Sequence, residues 1–362
     1  MRNKSVQGLR ALFAIGVFLS HSYFLKEYAY STAIFNSFFA KSAVVSFFFM
    51  ISGFYLINLN KDIKFGAYLK KKILRIYPLH LIIIIMMLTI NILGNAFDFT
   101  SFKSWITLIL NMCLLQTWSF SLTIATSFNT VAWFLSSLLF CYIVGYWLMK
   151  KVSAGETKEW KYTYIIAAIL LVFKCIVALY HPNDNTGYYY CYLFPLAGMT
   201  DFLIGLIIAK TTMNKEFSDN KRGTMQTLAL LAIIITIYLK NYLPPNYCRA
   251  FLTIPATALI VTAFAKETRF SRLVFGNKLM VFIGDLSFEF YLIHSFAMSI
   301  IDKFGITKFI AANVSPFVAL VVNMLLCMLG AFIYKNLAEW TIKKVENIKI
   351  KPEVIKYGKQ KN

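Results

Sequence analysis

Apolar runs of membrane-spanning length alternate with short polar segments along the whole chain. The runs lie near residues 8–25, 36–58, 75–96, 129–149, 162–180, 191–209, 224–241, 248–265, 279–301 and 312–334. A helix needs about 20 apolar residues to cross the bilayer core, and no polar segment between the runs is long enough for a soluble domain. The pattern predicts an all-α polytopic membrane helical bundle of about ten transmembrane helices, with one transmembrane domain over 1–342 and a basic tail over 343–362.

A shorter apolar run, "WITLILNMCLLQTW" at 105–118, interrupts this series. Its length favours an interfacial, re-entrant or buried segment rather than a bilayer crossing. A crossing here would also move every later basic loop to the other side of the membrane. We therefore expect this run not to span.

Composition and charge agree with a membrane protein. Hydrophobic residues make up 59% of the chain and charged residues 15%, and the net charge is +21. With the N-terminus inside, 28 of the 37 Lys and Arg residues fall in inner segments and seven in outer ones. Cytoplasmic loops collect basic residues, so both termini are predicted to be cytoplasmic, and the charge requires no nucleic-acid partner. Lys158 should then lie inside, and Asn185 and Asn246 outside.

Cysteine and histidine spacing gives little sign of cross-links or metal. The six cysteines form no C-x-x-C pair, although Cys191 and Cys248 lie at predicted outer helix ends, where a disulfide is an open alternative. The four histidines show no metal-binding spacing, so no metal site is predicted.

The first span contains two ionisable residues, Arg10 and His21, in "QGLRALFAIGVFLSHSYF". Eleven residues at about 100° and 1.5 Å each return to nearly the same helix face, roughly 16 Å further on. Alone, Arg10 is explained as a snorkelling anchor and His21 as a packing histidine. Together on one face they favour a functional pair, since ionisable groups in spans usually face a cavity or a partner.

A basic cluster precedes the third run, in "KFGAYLKKKILRIYPLHL" at 64–81. Lys70, Lys71, Lys72 and Arg75 would meet the membrane from the cytoplasm. Such a cluster suits a polyphosphate ligand, and the alternative is a topological anchor that attracts anionic lipids.

Four blocks together resemble the membrane-bound acyltransferase family 3. They are Arg10 with His21, "FFFMISGFYLI" at 47–57, Lys72 and Arg75 before "IYP", and "GDLSFEFYLIH" at 284–294. Their order and spacing match across essentially the whole chain. The resemblance implies a ten-helix membrane enzyme that transfers acyl groups from cytoplasmic acyl-coenzyme A to hydroxyls of cell-envelope glycans.

The resemblance also assigns roles to residues. His21 matches the family's catalytic histidine, and Arg10 its paired arginine, which also reaches the coenzyme. Lys72 and Arg75 match the basic coenzyme-binding pair. The first of that pair is usually arginine, and lysine keeps the charge but loses the bidentate fork.

One block departs from the pattern of many sugar-modifying members. In "NTVAWFLSSLL" at 129–139, Trp133 and Ser136 align with an acceptor-side block, but Leu138 occupies its acidic position. The carboxylate that supports His21 is then expected from elsewhere in the chain.

Three carboxylates and one histidine are candidates for the rest of the site. They are Asp201, Glu289, Asp285 and His294. Asp285 has the alternative of capping a helix, and Asp201 or Glu289 that of structural pairing with Lys174 or Arg10. His294 would line the acceptor side or lie at the membrane interface.

These features predict an O-acyltransferase of the bacterial plasma membrane. Its donor substrate would be acyl-coenzyme A, acetyl-coenzyme A being the main expectation, with no permanently bound cofactor. The other partners would be membrane lipids and a glycan or glycolipid acceptor, and His21 would act as general base or as transient acyl carrier. The main alternative is a transporter or flippase in which Arg10 and His21 relay substrate; a membrane scaffold or sensor is a weaker one. The sequence makes no prediction of oligomeric state.

Overall fold

A computed structural model describes residues 3–22, 41–60, 62–154, 158–212 and 218–349. The described residues form helices and contain no strand. The helices are α1 Lys4–His21, α2 Lys41–Leu56, α3 Phe65–Leu93, α4 Phe102–Met112, α5 Leu122–Ala125, α6 Trp133–Ala154, α7 Lys158–Tyr180, α8 Asn185–Tyr188, α9 Pro195–Thr212, α10 Asp219–Leu239, α11 Pro245–Tyr247, α12 Thr253–Ala263, α13 Arg269–Val274, α14 Lys278–Lys303, α15 Ile306–Asn313 and α16 Pro316–Lys349. Tail residues 350–362 lie outside the described part of the chain.

Six of the described helices are long and apolar enough to cross a membrane: α3, α6, α7, α10, α14 and α16. A seventh crossing forms if α8, its following π-helical turn and α9 count as one span bent by 40°. The prediction of an all-α, multi-pass membrane protein is therefore confirmed. The number ten and the cytoplasmic termini stay predictions.

The structure moves the start of α3 and defines the helix within the run at 105–118. Helix α3 begins at Phe65 rather than near residue 75, so the basic cluster lies on its first turns. The run at 105–118 forms the 11-residue α4 and then breaks at Leu114, whose φ is 57°. At 1.5 Å per residue α4 is about 16 Å long, roughly half of the bilayer core of about 30 Å. Helix α4 is thus too short to span.

Close packing of α1 against α14 sets the geometry of the site. A Cβ atom at Gly284 would lie 2.0 Å from the carbonyl oxygen of Gln7, so only glycine fits there. The two backbones approach as small residues allow in membrane bundles. This contact aligns the helices so that His21 and His294 meet further along them.

The same device joins α2 to α9. A Cβ at Gly205 would lie 1.9 Å from the carbonyl oxygen of Met50, and one at Gly53 would meet Phe202 equally closely. Helix α2 is thereby held at the centre of the bundle. Cys191 and Cys248 are both free thiols, so the disulfide alternative is not realised.

Candidate functional site

A cavity of about 710 Å³ opens between α1, α2, α3, α6 and α14. Arg10, Lys71, Lys72 and Arg75 line this basic cavity, and among the residues that the structure describes no Asp or Glu lines it. A concave site with one sign of charge concentrates ligands of the opposite sign. The basic cavity is therefore suited to a polyanion.

Lys72 and Arg75, predicted as a pair, project from one face of α3 into this cavity. The Lys72 ammonium lies 4.1 Å from the ring centroid of Tyr142, within cation–π range. The Arg75 Nη2 lies 2.9 Å from the Glu289 Oε1. Arg75 is half exposed, whereas Glu289 is buried. The cations are thus held in place by α6 and α14.

Arg10 reaches the basic cavity from α1. Its Nη1 donates a hydrogen bond of 3.1 Å to the side-chain oxygen of Gln7, one turn earlier. Leu138, at the position where the resemblance expects an acidic side chain, also lines this cavity. With leucine at this position, the cavity wall lacks the negative charge that the resemblance leads us to expect.

A second, smaller cavity of about 210 Å³ contains the other catalytic candidate. His21 lines this histidine cavity together with Trp133, Tyr188, Tyr192 and Tyr291. The Trp133 and Tyr192 ring centroids are 4.6 Å apart. The structure thus brings Trp133 to the cavity of His21, in walls that are mainly aromatic.

His21 and His294 contact each other across the α1–α14 interface. The His294 Nε2 lies 3.3 Å from the His21 Nδ1, and the ring centroids are 5.0 Å apart. The His294 Nδ1 lies 2.6 Å from the Tyr291 carbonyl oxygen. The His21 Nδ1 lies 2.9 Å from the Val17 carbonyl oxygen.

These contacts select the tautomers of the neutral pair. A carbonyl oxygen only accepts, so the Nδ1–H of each ring donates a hydrogen bond to its carbonyl oxygen. The Nε2 of His294 is then an acceptor that faces the Nδ1–H of His21. Neutral His21 consequently has its lone pair on Nε2, the form that a base or a nucleophile requires.

His294 lies in the interior of the bundle, where it is fully buried and contacts His21. Its expected place on the acceptor side stays a prediction. His294 ends the block at 284–294, and that block was the only sequence signal for it. Its partner is 273 positions away in the chain, a separation over which spacing gives no information.

Two of the acceptor-binding candidates lie in neither cavity wall. The Ser136 hydroxyl is buried and hydrogen-bonded to that of Thr117. The Asp201 Oδ1 lies 3.6 Å from the Lys174 Nζ, and both side chains are buried. The structural alternative for Asp201, pairing with Lys174, is therefore observed. Acceptor binding by Ser136 or Asp201 stays a prediction.

The remaining carboxylate candidates belong to α14. Glu289 pairs with Arg75 at the basic cavity. Asp285 does not cap the helix, because the N-cap is Asn277, whose side chain accepts a hydrogen bond from the amide of Met280. The capping alternative for Asp285 was wrong, since the helix begins earlier than the sequence block indicates.

Comparisons with known proteins identify the family of the chain. The family model of an acyltransferase domain, acyltransferase family 3, matches residues 3–335. The chain is similar to the acyltransferase MdmB of Streptomyces mycarofaciens, with 26% identity over 310 residues, 81% of this chain and 78% of that protein. No solved structure matches the chain significantly.

Proposed function

Because the chain belongs to acyltransferase family 3, we propose that this membrane protein is an O-acyltransferase that transfers an acyl group from acyl-coenzyme A to a hydroxyl of an extracytoplasmic glycan or glycolipid. One observation carries the proposal. A cationic cavity and a histidine-containing cavity lie next to each other and share Tyr291 as a wall. An acyl transferase needs such a pair of sites, one for an anionic donor and one for a nucleophile with its base.

The donor site is the basic cavity. Coenzyme A contains several phosphate charges, and Arg10, Lys71, Lys72 and Arg75 offer charge-assisted hydrogen bonds to them. The cavity volume of about 710 Å³ is within the range of sites that bind large cofactors. The donor's acyl end would then point along α1 towards His21, which follows Arg10 by about 16 Å.

The chemistry takes place at His21. Its Nε2 accepts the proton of the acceptor hydroxyl while the hydroxyl oxygen attacks the thioester carbonyl carbon. The carbon–sulfur bond breaks, the ester forms, and the departing thiolate receives the proton from the histidinium. His294 is a positioning residue, because its Nε2 accepts from the Nδ1–H of His21 and stabilises the charge that His21 acquires.

The acceptor site is the histidine cavity. Its aromatic walls, with Trp133 against Tyr192, offer flat ring faces and the polar groups of Thr130 and His21, which suits a ring-containing ligand. Arg249 lies 4.7 Å above the Tyr188 ring and supports this wall from behind. In the proposed orientation the termini are cytoplasmic, the membrane is the bacterial plasma membrane, and this cavity is reached from outside.

Two measurements on the full chain test the proposal. Purified protein is melted with acetyl-coenzyme A, with coenzyme A and with adenosine; the first two should stabilise it and adenosine should not, since a ligand of the folded state raises its stability. Envelope glycans from cells with and without the protein are then compared by mass spectrometry. An added acyl mass supports the proposal. Donor-independent melting together with unmodified glycans would overturn it in favour of a transporter.

A further inference from the structure

Three aromatic rings separate the basic cavity from the histidine cavity. Tyr291 lines both cavities, and Phe48 and Phe134 line the basic one. The ring centroids are 5.3 Å apart for Phe134 and Tyr291, 6.5 Å for Phe48 and Tyr291, and 6.4 Å for Phe48 and Phe134. The rings form a closed triangle, which we name the aromatic partition.

The partition lies where three helices pass from one cavity to the other. On α2, Val45 lines the histidine cavity and Phe48, one turn later, the basic one. On α6, Trp133 and Phe134 divide in the same way. Tyr291 supplies the third side from α14.

Tyr291 is fixed in this position by hydrogen bonds around it. Its hydroxyl donates to the Val131 carbonyl oxygen at 3.1 Å, and the Asn129 amide donates to the Leu292 carbonyl oxygen at 3.1 Å. Tyr291 is also nearly fully buried. Phe48 is less buried than Phe134 or Tyr291, so it is the side of the triangle that can yield to a ligand in the basic cavity.

We infer that the aromatic partition selects the acyl group by length and admits only short chains to His21. The inference rests on the proposed function and names the donor class, a short-chain acyl thioester. Among the residues that the structure describes, Tyr291 is the one common to both cavity walls, so a donor in the basic cavity would bring its carbonyl to His21 past these rings. Each further methylene must displace a ring that is packed against two others, and close-packed interiors resist such displacement.

The test compares acetyl-, butyryl- and hexanoyl-coenzyme A as donors for the parent and for Phe48→Ala and Phe134→Leu. The parent should favour acetyl, and each variant should raise the ratio of hexanoyl to acetyl kcat/KM by about ten- to a hundredfold, the usual size of a pocket's discrimination over methylenes. Phe264→Ala is the control, because Phe264 is also a packed phenylalanine, fully buried, but it packs against Phe275, away from both cavities. Its ratio should equal that of the parent.

Each outcome decides between the two proposals. An unchanged ratio in Phe48→Ala and Phe134→Leu, in protein that transfers acetyl, overturns the role of the partition and leaves the proposed function intact. Loss of transfer with every donor in the parent removes the proposed function itself. If a variant loses turnover, its stabilisation by hexanoyl- against acetyl-coenzyme A replaces the rate ratio; a preference equal to that of the parent counts against the inference.

Discussion

The basic cavity and the histidine cavity share one wall and differ in nearly every other respect. The first is about 710 Å³ with Arg10, Lys71, Lys72 and Arg75 in its walls, and the second is about 210 Å³ with mainly aromatic walls. A large cationic site recognises a ligand by charge, whereas a small aromatic site recognises it by shape. The two cavities thus suit ligands of different kinds, although Tyr291 lines both.

The largest effect on acyl transfer is expected from a change at His21. His21→Gln keeps size and hydrogen bonding but cannot accept a proton at neutral pH, so acyl transfer should fall by about a hundred- to ten-thousandfold. Stabilisation by acetyl-coenzyme A should equal that of the parent, because the donor binds in the other cavity. His181→Gln is the control, since His181 pairs with Asp184 at an exposed site. Near-normal turnover in His21→Gln would remove the catalytic role.

The next largest effect is expected in the basic cavity, and two neighbouring lysines of α3 sharpen the test. Lys72 lines the cavity, whereas Lys70 is exposed outside it. Lys72→Gln should raise the donor Kd by about ten- to a hundredfold, the worth of one charge-assisted hydrogen bond. Lys70→Gln should bind the donor as the parent does. Equal weakening by both would mean that general positive charge, not the cavity, attracts the donor.

Glu289 tests which cavity a buried carboxylate serves. Arg75→Gln removes the cation in contact with buried Glu289 and should lower stability by about 1–2 kcal/mol, a modest loss because Arg75 is only half buried. Adding Glu289→Gln should restore the melting temperature. Glu289→Gln alone should preserve kcat. A large loss of kcat at unchanged donor Kd would instead make Glu289 the support of His21.

The smallest effect on activity is expected from cysteine substitutions at exposed positions. Labelling of these cysteines decides on which side of the membrane each cavity opens. Cys113 is exposed and is first replaced by Ser. Positions 185 and 161 are both exposed, so a cysteine at either can react with a maleimide. In that background, Asn185→Cys should react with an impermeant maleimide in intact cells, because it is predicted to lie outside, and Lys161→Cys only after lysis, because it is predicted to lie inside. Asn246, also expected outside, is a poor probe because it is buried and hydrogen-bonded to the His181 carbonyl. Labelling of position 161 from outside would reverse the orientation.

Sequence pattern anticipated much of the fold but not its boundaries. The helical class, the membrane character and the non-spanning run at 105–118 follow from hydropathy and length. The start of α3 was predicted ten residues late, because Lys70, Lys71 and Lys72 lower the hydropathy of turns that are nonetheless helical. Straight-chain lysines are good helix formers, and Lys71 and Lys72 line the basic cavity.

The sequence indicated several residues of the candidate site but not the contacts between them. Arg10 and His21 were expected on one face of α1, and that helix does bring them to two adjoining cavities. The pairing of His21 with His294 could not be read from spacing, since it depends on which helices are neighbours in the bundle. The Gly284 contact with α1 creates that neighbourhood, and a single glycine in an apolar helix does not reveal its partner.

The aromatic partition has a consequence for the cell as well as for the reaction. In the proposed orientation, the basic cavity opens to one side of the membrane and the histidine cavity to the other, and at Tyr291 one layer of rings separates them. Each elementary charge that crosses dissipates about 2.3 kcal/mol per 100 mV of potential, so a permanent channel for protons here would drain the gradient. The aromatic partition must therefore open no wider than the acyl group being transferred. Choosing a small acyl group and keeping the bilayer electrically tight are two demands on the same three side chains.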